Sequence, residues 1–66
     1  MSNPLKAYRK RQRLSQQEVA DKLGISRGMV GLLENGDREF TAETAVLIEK
    51  RLGINRVVLR PDIFRA

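Results

Sequence analysis

The sequence contains no cysteine and no histidine. Those two residue types build most zinc and transition-metal sites, and cysteine alone builds disulfides, so a structural metal and a disulfide framework are both excluded. Long apolar runs are absent as well: no stretch approaches the ~18–20 residues that cross a bilayer, and Met1-Ser2-Asn3-Pro4 lacks the apolar centre of a secretory signal. A cytoplasmic protein without membrane contact is the expectation. At 66 residues the chain is short. One domain over residues 1–66 is the ceiling, since a chain of this size buries only about 60% of its unfolded surface. A large internal catalytic pocket does not fit in it. No Gly-rich phosphate loop follows a strand, and the carboxylates are dispersed at helix caps and starts. An enzyme is therefore not expected, nor a cofactor, metal or small-molecule ligand.

The hydrophobic fraction of 41% and charged fraction of 32% belong to folded proteins rather than disordered ones. Below roughly 70–80 residues one core rarely supplies more than about 3–5 kcal/mol, so an unstapled chain must be well idealised or borrow buried surface from a partner. The net charge of +5 points to a polyanionic partner. Residues 1–13 carry Lys6, Arg9, Lys10, Arg11 and Arg13 with no acid, and residues 50–66 carry Lys50, Arg51, Arg56, Arg60 and Arg65 against Asp62 alone. Between them the chain is net acidic. Charge by itself fits solvated helix faces equally well.

Asn3, or Ser2, caps a first helix that opens on Pro4, where the missing N–H had no partner anyway, and extends to about Arg13. Leu5, Tyr8 and Gln12 give it a narrow inner stripe. Ser15 and Glu18 have capping-box spacing ahead of a helix over residues 16–23, which buries Val19, Ala20 and Leu23 and stops at Gly24. Ser26 caps the next helix, Arg27 to about Asn35, ended by Asn35-Gly36, with Val30 and Leu33 inward. Thr41 caps a fourth helix that ends at Gly53, with Ala45, Val46, Ile48 and Leu52 facing the core. Asn55 caps a short last helix from Arg56 to Arg60, cut off by Pro61. The fold class expected is all-α, a compact bundle of four to five short helices.

Gly24-Ile25-Ser26 joins the second and third helices through a short Gly-containing turn. That spacing makes a helix-turn-helix, whose second helix can lie in the major groove of DNA; it also fits an ordinary helical hairpin. The outward face of the third helix, Ser26, Arg27, Gly28, Gly31 and Leu32, favours the first reading. Each interior glycine costs a helix up to about 1 kcal/mol relative to alanine, and a plain bundle gains nothing from it. Glycines do admit close approach of another surface, and Arg27 is suited to paired hydrogen bonds with guanine. Leu32 fits contact with a thymine methyl, although a lone surface leucine is also ordinary.

Several separate blocks, Arg9, Leu14 to Ala20, Gly24-Ile25-Ser26, Leu33-Glu34-Asn35-Gly36, Arg38 and the helix from Thr41 to Leu52, agree in order and spacing with one family. Over about residues 5–53 the chain resembles the Cro and phage-repressor type of helix-turn-helix domain, with a lambda-repressor-like fold. Its tail, Leu59 to Phe64, looks like that of short YdaS/Cro-like regulators. The resemblance implies a sequence-specific transcriptional regulator, a Cro-like repressor binding a pseudo-palindromic operator in double-stranded DNA as a homodimer. It implies that Gln16 and Gln17 contact phosphate or an outer base, that Ser26, Arg27, Gly28, Gly31 and Leu32 face the groove, and that Asn35 and Arg38 touch the DNA backbone. It also implies an ion pair between Arg9 and Glu34. Family members often carry polar side chains where this chain has Gly28 and Gly31, so base reading should be sparse, with DNA shape supplying the rest.

Arg13 joins Arg38 as an expected sequence-independent contact. The segment 54–66 is the expected dimerisation tail, through Val57, Val58, Ile63 and Phe64. The competing arrangement has Val57, Val58 and Leu59 capping the monomer core while Ile63 and Phe64 fray. An antitoxin-like or other protein-interaction module on the same scaffold is the rival function. It would show little of the steep salt dependence of DNA binding.

Overall fold

Every helix start carries a side chain that accepts a hydrogen bond from an otherwise unpartnered amide. In the computed structural model, which describes residues 3–64, α1 (Pro4–Arg11) begins where the Lys6 amide donates to Asn3 Oδ1 at 2.9 Å. A reciprocal capping box opens α2 (Gln16–Leu23): the Glu18 amide donates to Ser15 Oγ at 3.0 Å and the Ser15 amide to Glu18 Oε1 at 2.9 Å. Ser26, Thr41 and Asn55 cap α3 (Arg27–Asn35), α4 (Ala42–Leu52) and α5 (Arg56–Leu59) in the same way. Each such cap contributes about 1 kcal/mol, a large share of the stability of so short a chain.

Four of the five helices stop at left-handed residues. Gly24, Gly36 and Gly53 have φ of 71°, 80° and 80°, a region that lacks a Cβ penalty only for glycine. Arg13 does the same at the end of α1 with φ 57°, and this corrects the expected helix boundary. The Arg13 amide donates to the Lys10 carbonyl at 3.1 Å and the Leu14 amide to the Arg9 carbonyl at 2.9 Å, a Schellman closure that ends α1 at Arg11. Gln12 is thereby left exposed rather than on the inner stripe.

Among the described residues the architecture is an all-α bundle of five short helices, within the four to five expected. α2 packs on α3 and α4, α1 on α3, and α5 on α4. Leu5, Val19, Val30, Leu33 and Ile48 are the largest fully enclosed side chains, and each such residue stabilises by about 1.5–3 kcal/mol. Phe40, in the loop between α3 and α4, and Leu59 of α5 complete the core. Val46, expected inside, is half-buried at the surface, and Leu47 packs against the core. Phe64 folds back beside Val46 and Leu47, a contact that helical periodicity does not contain. α5 ends at Leu59, one residue early, because the residue before Pro61 is driven to extended backbone (Arg60 φ −139°, ψ 75°). Ser2 as an alternative cap, and Arg65 in the basic tail, lie outside the described residues.

Candidate nucleic-acid interface

The turn between α2 and α3 is tightly determined. Gly24 provides the left-handed stop, the Ile25 amide donates to the Ala20 carbonyl at 3.1 Å, and the Ile25 side chain packs against the core. Ser26 then starts α3 with its hydroxyl on the Met29 amide at 3.1 Å. α3 buries Val30, Leu33 and Glu34, so its opposite side is offered to solvent. On that side Ser26, Arg27 and Gly28 are exposed, Gly31 is half-buried, and Leu32 is 41% exposed.

Neither glycine of α3 is required by the packing of the chain. A Cβ at Gly28 would meet only Ser26 Oγ at 4.0 Å, and one at Gly31 only Gln16 Nε2 at 3.8 Å, both ordinary contacts. The helix therefore bears their conformational cost without an internal steric reason.

A buried polar network holds α3 against the rest. Arg9 Nε donates to Glu34 Oε2 at 2.7 Å and Arg9 Nη2 to Glu34 Oε1 at 3.1 Å, so the pair is bidentate. The Glu34 side chain is 1% exposed and that of Arg9 17%. Arg9 Nη1 also donates to the Leu14 carbonyl at 3.1 Å, and Gln16 Nε2 to Glu34 Oε1 at 3.2 Å. Burial pushes the Glu34 carboxyl up, but the Arg9 and Gln16 hydrogen bonds outweigh it and hold the group below its ordinary value. Arg9, bonded to Glu34, is correspondingly raised. Removing either charge strands its partner in a site with little water.

Gln16, Gln17 and Arg27 come together with Arg9 and Ser15 around one surface depression where α2 and α3 begin. Gln16 has one amide hydrogen committed to Glu34, while Gln17 Nε2 donates to Asp21 Oδ1 at 2.9 Å on the exposed side of α2. Asn35, Arg38 and Arg13 are exposed. Arg38 lies in the loop after Gly36, its amide donating to the Leu32 carbonyl at 3.2 Å. In the tail, Val58 and Ile63 are 57% and 45% exposed, whereas Val57 and Phe64 are half-buried. Phe64 packs against the core, with the Arg56 guanidinium 5.0 Å from its ring centroid; Leu59 is buried in the core while Val58 is exposed.

Two ties escaped the sequence. Asn3 Nδ2, of the amide whose oxygen caps α1, donates to the Leu33 carbonyl, joining the start of α1 to α3, and Arg60 Nη1 donates to the Phe40 carbonyl at 2.6 Å. A capping asparagine or a tail arginine carries no sequence signal for a second partner that is distant along the chain.

A helix-turn-helix family profile matches residues 5–59, which include all of α1 to α5 except Pro4. The chain belongs to the helix-turn-helix family. It is 37% identical over 54 residues to an uncharacterized HTH-type transcriptional regulator of Methanocaldococcus jannaschii, covering 82% of each chain. No solved structure matches. Membership makes this helix-turn-helix protein a DNA-binding transcriptional regulator rather than an enzyme. Among the described residues, no helix is long and apolar enough to cross a membrane.

Proposed function

We propose that this helix-turn-helix regulator binds a pseudo-palindromic operator as a homodimer, in the manner of Cro and phage repressors, with α3 in the major groove of cytoplasmic DNA. The observation that carries the reading is the outward face of α3: Arg27, two sterically unneeded glycines and Leu32 on a helix locked from behind by a buried ion pair. Arg27 reads a base, with Gln17 and Leu32 beside it. Arg13, Asn35 and Arg38 meet the DNA backbone, and Gln16 bridges backbone and the Glu34 network. Dimerisation is supported by the single α3 per chain, which covers one half-site, whereas a two-half-site operator presents successive major grooves ~34 Å apart on one face of DNA. Val58 and Ile63 are the exposed large apolar side chains of the tail and offer the surface for a second copy, while Val57 and Phe64 are half-buried.

Operator selection with the purified protein, followed by Arg27→Ala, tests the reading. Loss of ~1–3 kcal/mol on the selected site with relaxed preference at one base pair is expected. Equal loss on random DNA would reassign Arg27 to phosphate. Val58→Asp with Ile63→Asp should shift sedimentation towards monomer and weaken operator binding more than half-site binding. Wild-type mass with unchanged operator affinity would remove the tail from the interface, and binding without salt dependence would favour a protein-interaction module.

A further inference from the structure

The loop 36–40 carries Arg38 and is held at three points. The Arg38 amide donates to the Leu32 carbonyl at 3.2 Å, the Phe40 side chain is buried in the core, and the Phe40 carbonyl accepts from Arg60 Nη1 at 2.6 Å. Phe40 precedes the cap residue Thr41, so its carbonyl stands outside the hydrogen-bond ladder of α4 and needs a partner from elsewhere.

Arg60 is itself fixed. Its Nε and Nη2 donate to the Asp62 carboxylate at 2.9 and 2.6 Å, and its carbonyl accepts from the Phe64 amide at 2.9 Å. Pro61 restricts its backbone from the other side. All three guanidinium nitrogens are thus engaged within the chain, which suits a residue that holds another group rather than one that meets DNA itself. Arg60 and Arg38 border the same surface depression. The Arg60 guanidinium also holds the Asp62 carboxyl down to about 2, so the clamp is fully charged at neutral pH.

We propose that Arg60 is a positioning residue for DNA-backbone binding: its bond to the Phe40 carbonyl fixes the loop that presents Arg38 to a phosphate. The C-terminal tail thereby sets the geometry of a contact on the DNA side. The inference rests on the reading of Arg38 as a phosphate contact, and the test separates the two.

Binding of the full-length protein to a mixed-sequence duplex of about 20 base pairs, spanning two half-sites, is measured across a salt series for the wild type, Arg38→Ala, Arg60→Gln and the double variant. Each phosphate contact contributes about 0.9 to the slope of log affinity against log salt. Arg38→Ala is expected to remove about that much, Arg60→Gln a similar amount, and the double variant no more than either alone. Summed losses would make Arg60 an independent phosphate contact and overturn the proposal, as would an unchanged slope in Arg60→Gln. No effect of Arg38→Ala would instead sink the assignment of Arg38, and the proposal with it.

Asp62→Asn gives a test of opposite sign should Arg60→Gln fail to fold. Removing an acid makes the protein more basic, so simple Coulomb attraction predicts tighter DNA binding. Loss of the clamp predicts a reduced slope and weaker binding. Tighter binding with an undiminished slope would overturn the proposal.

Discussion

The α1–α3 half, which carries the proposed DNA face, and the tail-bearing α4–α5 half share one apolar core but differ in how their polar ties are buried. Around α1, the start of α2 and α3, the ties are directional: the Arg9–Glu34 fork, the Gln16 amide on the same carboxylate and the Asn3 amide on Leu33. Around α4 and α5 the enclosed ties are apolar, through Ile48, Leu52 and Leu59, and the directional ones are exposed or lie at loop and tail: the Arg56 amide on Glu49, and Arg60 on Asp62 and the Phe40 carbonyl. Area burial is not directional, so it holds helices together without fixing their rotation closely, whereas a bidentate pair fixes both distance and angle. Under the proposed function, a face that registers against base edges benefits from the second kind of tie, and a face that meets another copy tolerates the first.

The contrast is broken most forcefully by Glu34→Ala. With Glu34 enclosed, the change should cost about 3 kcal/mol in thermal or urea unfolding, near the low end for a buried pair because Arg9 is only partly enclosed. A loss below about 1 kcal/mol would show that the pair behaves as a surface bridge. Leu59→Ala, on the apolar side, should cost about 2 kcal/mol. Its folded fraction should keep the base preference of the wild type, while Glu34→Gln, which weakens the network without creating a cavity, should relax that preference. Identical base preferences in the two variants would erase the functional distinction between the halves.

Gly28→Ala should act in the other direction, raising stability by about 0.5–1 kcal/mol because nothing in the chain obstructs the new methyl group. It should at the same time weaken operator binding, and unchanged affinity would mean that DNA does not approach the helix closely at that point. The smallest effect is that of mild acid. Glu34 titrates below its ordinary value of 4.5 in the folded protein, so its contribution is complete above that pH and is lost as pH falls through the depressed folded value. Stability should therefore hold from neutrality to about pH 5 and decline below it, less steeply in Glu34→Gln.

Local signals made most of the fold legible. Asn3, Ser15, Ser26, Thr41 and Asn55 all cap helices, and Gly24, Gly36 and Gly53 all end them, because caps and stops depend on a few adjacent residues. The end of α1 was misread because a left-handed arginine resembles a helix-forming one in sequence. Val46, expected inside, is half-buried like Leu47, because the helical period fixes spacing, whereas the placing of Phe64 beside both depends on the tail. Of the candidate site, the separation of inward and outward residues on α3 was readable from periodicity, and the Arg9–Glu34 pair came only through family resemblance. The Asn3 and Arg60 ties were invisible, since each joins a side chain to a backbone carbonyl that becomes its neighbour only after the helices have packed.

Arg13 occupies a left-handed turn where the chain elsewhere uses glycine. Its conformation costs roughly 1 kcal/mol relative to glycine, and the proposed use of its charge is on DNA. A library randomised at this position would consequently return different winners under different sieves. Heat challenge without DNA should enrich glycine, and retention on immobilised operator should enrich arginine or lysine, so that one codon reports how far folding and binding pull apart.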